Sequence, residues 1–128
     1  MAEDLIGNEL LGQFRIVQRI GRGGMGEVFK AEQPAMDRLV AIKILHAKLA
    51  SRPDLVSRFR REARAMSRLS HPNTARVFLY GQLEETNQLY IVMEYLDGID
   101  LARLVRREGP MEVGRAAQVM IQVLGALE

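Results

Sequence analysis

A glycine-dense turn between two alternating stretches constrains this chain more tightly than any other feature. The turn is Ile20-Gly21-Arg22-Gly23-Gly24-Met25-Gly26-Glu27-Val28. Before it, Phe14, Ile16 and Ile20 alternate with Arg15, Val17 and Arg19; after it, Val28, Lys30 and Glu32 alternate with Phe29 and Ala31. A period of two on both sides predicts a β-hairpin whose turn is widened with glycine. Glycine admits positive φ and puts no Cβ between the backbone N–H groups and whatever lies beneath. Such a turn can close over a phosphate chain with its amides toward the anionic oxygens. Two patterns with this spacing are excluded by the residues on the C-terminal side of the turn. Gly21-x-Gly23-x-x-Gly26 matches the dinucleotide fingerprint, which needs a helix directly after the loop, and here a strand pattern comes next. The P-loop spacing also fits, but that motif continues with Lys and Ser/Thr where this chain has Glu27 and Val28. A plain hairpin turn and a phosphate-covering loop of another kind both remain open on this stretch alone.

The composition narrows the class. With 48% apolar residues in 128, a packed domain with a modest core is expected, not disorder. The absence of cysteine excludes a disulfide framework and a thiolate metal site, and fits a reducing compartment. His46 and His71 are too far apart for metal-ligand spacing, so no metal site is expected. A net charge of +2 is too mild to imply nucleic acid. The opening Met1-Ala2-Glu3-Asp4 is acidic, unlike a signal peptide, and no apolar run could span a bilayer. A soluble, cytoplasmic chain is expected, with any membrane anchor beyond residue 128.

Residues 1–12 read as a short leader. Gln33 to Asp37, with Pro34 inside, reads as a loop. Leu39 to Leu45 is a third strand, apolar on both faces except for Lys43. Asp54 to Leu69 is helical: Leu55, Val56, Phe59, Ala63, Met66 and Leu69 fall on one arc at about 100° per residue. Glu62 interrupts that arc, and Arg60, Arg61, Arg64 and Arg68 form a basic stripe opposite, read first as a solvated face. Ala75 to Tyr80 and Leu89 to Tyr95 read as strands, Leu96-Asp97-Gly98 as a connector, and Ile99 to Arg107 and Glu112 to Glu128 as helices. The last helical pattern runs to Glu128 without a stop signal, so a cut end is expected there, with an exposed apolar stripe able to self-associate.

Three features call for a joint explanation: the glycine loop, a lysine in a buried strand and a glutamate on a buried helix arc. A buried charge is costly alone and tolerable when paired, so Lys43 and Glu62 are expected to meet if the helix crosses the sheet. Taken singly, Lys43 could snorkel at an edge, and Glu62 could pair on the surface with Arg58 at i−4.

Gly21-x-Gly23-x-x-Gly26-x-Val28, then Val40-Ala41-Ile42-Lys43, then a helix bearing Glu62, resembles the small lobe of a protein kinase. Phe59-Arg60-Arg61-Glu62-Ala63, His71-Pro72-Asn73 and Ile91-Val92-Met93-Glu94-Tyr95-Leu96 are similar to bacterial Ser/Thr kinases of the eukaryotic-like type. The resemblance runs from about Leu11 to Glu128. It implies an α+β fold: a five-stranded antiparallel sheet on one long helix, then a hinge and the first helices of a second lobe. It divides the chain into 1–12 (leader), 13–94 (small lobe) and 95–128 (hinge and start of the large lobe).

The implied ligand is ATP with Mg²⁺, and the implied partner a protein bearing Ser or Thr hydroxyls. By that resemblance Ile20, Gly21, Gly23 and Gly26 cover the nucleotide, while Val28 and Ala41 hold the adenine. Lys43, held by Glu62, meets the α and β phosphates. Met93 stands at the back of the pocket. The Glu94 carbonyl and the Leu96 amide bond the adenine edge, and Asp100 matches a ribose contact. One or two arginines of the stripe would meet a phosphorylated activation loop. The family's H-R-D-x-x-x-x-N and D-F-G, which supply the base and the metal ligands, do not occur in these residues. The stretch by itself is therefore expected to be catalytically incompetent, with a non-catalytic, pseudokinase-like nucleotide binder or scaffold as the alternative for its parent.

Overall fold

The computed structural model describes residues 5–127. Six antiparallel strands form one sheet: β1 (Glu9–Leu10), β2 (Phe14–Arg22), β3 (Gly26–Gln33), β4 (Arg38–Leu45), β5 (Val77–Gln82) and β6 (Leu89–Glu94). Their order is β1-β2-β3-β4-β6-β5. Helix α1 (Pro53–Arg68) lies between β4 and β5 in the chain, and α2 (Leu101–Glu108) and α3 (Val113–Leu127) come after the sheet.

The α+β architecture is the expected one, with one strand more. The segment read as a leader supplies β1, which pairs Leu10 with Phe14 and Glu9 with Arg15. Two residues are too few to show a period. What builds the strand is the backbone around it: Gly7 and Gly12 take φ of +87° and +68°, where a side chain would be strained. The Gly7 N–H then donates to the Ile16 carbonyl at 2.8 Å, and the Ile16 N–H to the Asn8 carbonyl at 3.0 Å. The first four residues of the expected leader lie outside the described residues.

Period-two alternation gives the sheet two apolar faces, each with its own core. The outer face gathers Leu10, Phe14, Ile16, Phe29, Ala31, Val40, Ile42, Ile44, Tyr90 and Val92. The inner face gathers Leu45, Leu89 and Ile91 against Phe59 and Ala63 of α1. Helix α1 starts with Pro53 in its first turn, where the missing N–H costs nothing, and with Asp54 at the positive end of the helix dipole. Arg68 sits at the opposite end. Phe59 and Ala63 are the buried i, i+4 pair that fixes its rotation. Leu69, expected in the apolar arc, caps the helix and is 40% exposed.

Helix α2 begins at Leu101, not Ile99, because the Asp100 carboxylate caps it, accepting from the Arg103 N–H at 2.7 Å. Gly109 closes it with φ of +82°. Helix α3 buries none of its residues, and Val113, Ile121 and Leu127 are more than half exposed. Among the described residues no helix is long and apolar enough to cross a membrane.

Candidate functional site

The turn between β2 and β3 is closed by a hydrogen bond from the Gly23 N–H to the Gly26 carbonyl at 2.9 Å. His46, just past β4, holds it from the side: its N–H donates to the Met25 carbonyl at 2.9 Å, and its Nε2 lies 3.0 Å from the Gly23 carbonyl. The expectation that this turn uses glycine for positive φ is not met, since none of Gly21, Gly23, Gly24 or Gly26 has one. Gly26 is required for a different reason. A Cβ there would stand 2.2 Å from the Ile44 carbonyl oxygen of the adjoining strand. The hairpin approaches β4 closely enough to exclude any side chain. Around Gly23 and Gly24 the space is open, so those two leave the turn's backbone uncovered.

The sheet register brings the next group together. Val28 is opposite Lys43, Lys43 opposite Ile91, and Ala41 opposite Met93. Cross-strand partners share a face, so Val28, Ala41, Lys43, Ile91 and Met93 line one face, the side of α1. Gly21 pairs with Val28, and half-buried Ile20 lies in the irregularity between Arg19 and Gly21. Gly21 thus adjoins Val28 on the strand pair that leads from the turn to the face of Val28, Ala41 and Lys43. Ala41 is buried with a minimal side chain, whereas Val28 and Met93 are half-buried.

Lys43 and Glu62 do not form the expected pair. Glu62 instead lies 3.5 Å from Arg58 on its own helix, with its side chain 48% exposed. With Phe59 and Ala63 setting the rotation of α1, Glu62 falls on the flank of the buried arc. A carboxylate at such a boundary avoids desolvation by turning to a neighbouring guanidinium in water. The Lys43 ammonium lies over the Phe59 ring, 6.0 Å from its centroid.

After β6 the chain leaves the sheet at the end of β4 remote from the glycine turn, since Glu94 pairs with Val40 and Gly26 with Leu45. Glu94 is fastened to the start of β5: its N–H donates to the Arg76 carbonyl at 2.8 Å and its carboxylate accepts from the Arg76 N–H at 3.1 Å. Leu96 is 62% exposed, and its N–H has no partner among the described residues. Two contacts here carried no sequence signal. The Lys30 ammonium stands 5.0 Å from the Tyr95 ring centroid, linking β3 to the connector. Asp100, expected only as a ligand contact, is engaged as the α2 cap. No group of three or more His, Cys, Asp or Glu that could hold a metal occurs among the described residues.

The family model for the protein kinase domain matches residues 14–128. The chain belongs to the protein kinase family. This kinase chain is 42% identical over 98% of its length to the serine/threonine-protein kinase pkn3 of Myxococcus xanthus, and 41% identical over 96% to PrkC of Bacillus subtilis. It spans 23% and 19% of those two proteins, so it matches a minor part of each. Among solved structures, the PknI kinase domain of Mycobacterium tuberculosis superposes with a TM-score of 0.81 at 30% identity, covering 96% of this chain and 49% of that one. The likeness to bacterial Ser/Thr kinases extends over fold and sequence together, and the kinase chain carries about half of the solved domain.

Proposed function

We propose that these residues form the ATP-binding part of a Ser/Thr protein kinase, whose parent transfers the γ-phosphoryl group of ATP to protein hydroxyls in the cytoplasm. The observation that supports this reading is the β3-β4-β6 register, which puts Val28, Ala41, Lys43 and Met93 on one face of the sheet. The adenine ring fits between Val28 and Ala41, where the alanine methyl leaves room, with Met93 closing the back. The exposed Leu96 N–H offers a donor to the ring edge, with the Glu94 carbonyl as its companion acceptor.

The Lys43 ammonium holds the α and β phosphates as a point charge, and Ile20, Gly21, Gly23 and Gly26 cover them from above. Asp100 keeps one carboxylate oxygen on the α2 cap, leaving the other for a ribose hydroxyl. Bound Mg²⁺ would neutralise phosphate charge, and its ligands belong to the family's D-F-G and catalytic-loop motifs, which these residues lack. The 128 residues alone therefore bind nucleotide without transferring phosphate. The apolar surface of α3, with Val113, Ile121 and Leu127 exposed, drives self-association of the isolated chain, visible as a concentration-dependent mass in light scattering.

The test is nucleotide titration followed by fluorescence. Lys43→Met should weaken ATP binding roughly tenfold or more, the loss of a hydrogen bond to a charged group. Unchanged affinity in that variant would sink the assignment. Incubation with radiolabelled ATP and a general protein acceptor should give no transfer; transfer abolished by Lys43→Met would show that the chain is competent alone.

A further inference from the structure

Gly23 and Gly24, at the tip of the glycine turn, have little packed against them. A Cβ on Gly24 would have nothing within 4 Å, and one on Gly23 would meet only the Gly26 carbonyl, at 4.0 Å. Glycine also loses more conformational freedom on ordering than any other residue. Order at this tip must therefore come from hydrogen bonds. The Gly23 N–H donates to the Gly26 carbonyl at 2.9 Å, the His46 backbone N–H donates to the Met25 carbonyl at 2.9 Å, and the His46 ring reaches the Gly23 carbonyl at 3.0 Å. A carbonyl only accepts, so Nε2 of that ring carries the proton and donates it.

The ring bond is the one of these three that a side chain makes, and it acts on the peptide between Gly23 and Gly24. In a trans peptide the C=O and the following N–H point in opposite directions. With the Gly23 carbonyl turned to the ring, the Gly24 N–H points away from it, and so away from the outer-face cavity that His46 borders. That N–H has no partner among the described residues, nor has the Met25 N–H beside it. Met25 is fixed separately, by its carbonyl on the His46 backbone and its side chain on the inner core. Without the ring, the peptide between two glycines in open space can turn over at small cost, because glycine accepts φ of either sign.

We propose that His46 is a positioning residue for nucleotide binding. By holding the Gly23 carbonyl it keeps the Gly24 amide directed for an anionic oxygen of the phosphate chain. The role rests on the nucleotide reading above and adds to it a side chain that itself touches no ligand. Ordering the peptide before the ligand arrives removes that cost from binding. The nucleoside part of the ligand makes no use of this amide, so the effect separates nucleotide from nucleoside.

The test compares ATP and adenosine as competitors of a fluorescent ATP analogue on the 128-residue chain. His46→Phe keeps the bulk of the ring and removes the donor, His46→Ala removes both, and the backbone bond to Met25 stays available in each. Both variants should bind ATP about three- to tenfold more weakly, the worth of one hydrogen bond, with adenosine affinity unchanged. NMR order parameters at the Gly24 amide of the nucleotide-free chain should fall in both, and circular dichroism checks that each variant folds. Lys43→Met, measured alongside, tests the nucleotide reading itself. ATP affinity unchanged in the two His46 variants but lost in Lys43→Met would overturn the role of His46 alone. So would an equal loss for ATP and adenosine, the mark of a merely structural ring. Absence of ATP binding to the unsubstituted chain would overturn both readings.

Discussion

Gly26 is the position at which the structure and the phosphate-loop reading of the sequence give different reasons for the same residue, and one substitution separates them. If Gly26 is glycine only so that a nucleotide can approach, Gly26→Ala leaves the nucleotide-free chain as stable as before. The geometry says otherwise. The added Cβ would meet the Ile44 carbonyl oxygen at 2.2 Å, the Ile44 carbonyl carbon at 3.0 Å and the Leu45 Cα at 3.1 Å. All three atoms are backbone, so no side chain can rotate away. To bring the oxygen contact from 2.2 Å to even 3.0 Å, one strand must retreat by 0.8 Å. The retreat strikes the pairing of Gly26 with Leu45 and the adjoining bond from the His46 N–H to the Met25 carbonyl.

Overpacking that forces backbone shifts costs about 1–3 kcal/mol, and the upper half of that range is expected here. Urea unfolding followed by circular dichroism without nucleotide would show it as a lower midpoint at unchanged slope. Gly24→Ala is the control. It has nothing within 4 Å and no positive φ, so it should leave stability unchanged or raise it by a few tenths, up to about 1 kcal/mol. If Gly26→Ala unfolds within about 0.5 kcal/mol of the parent, the close approach of the hairpin to β4 is not what selects glycine.

Three further outcomes rest on single side-chain contacts. Glu62→Ala and Arg58→Ala should each change stability by less than about 0.5 kcal/mol in denaturant titration, because their ion pair is exposed; a loss of several kcal/mol would point to a buried partner. Phe59→Ala should cost about 3–5 kcal/mol, since the ring is 2% exposed in the inner core, and a loss below about 1 kcal/mol would contradict the packing of α1 on the sheet. Asp100→Ala should cost about 1 kcal/mol of local helix stability, read as faster hydrogen exchange at the Arg103 amide, whereas Asp100→Ser should restore most of it.

What the sequence disclosed was what repeats. Alternation about the glycine turn marked β2 and β3, an apolar run marked β4, and the spacing of Phe59 and Ala63 marked the buried side of α1. Strands β5 and β6 and both later helices were legible in the same way, with ends displaced by one or two residues, as at α2, where the Asp100 cap decides. What escaped has no period. Strand β1 depends on φ at Gly7 and Gly12, and the tie from His46 to Gly23 joins residues 23 positions apart through a single atom. Glu62 shows the limit most clearly: a helical wheel placed it within the apolar arc, but a flank position is decided by which neighbour gives its carboxylate a partner in water. Likewise, Gly26 was recognisable as necessary, but the reason was an oxygen on the next strand.

Strand β6 joins partners that are remote along the chain. It places Ile91 in the inner core and Val92 in the outer one, while its Glu94 pairs with Val40, 54 positions earlier. Both cores are therefore sealed by one closure, made only after the loop carrying α1 and β5 has been drawn in, whose entropy cost must be met first. The meander from β2 to β4 can form early from local contacts, bringing the glycine turn, Val28, Ala41 and Lys43 but not Met93. On the proposed nucleotide reading, Met93 joins the site in the same step that makes the domain cooperative, so nucleotide affinity should appear only with the last long-range pairing of the sheet.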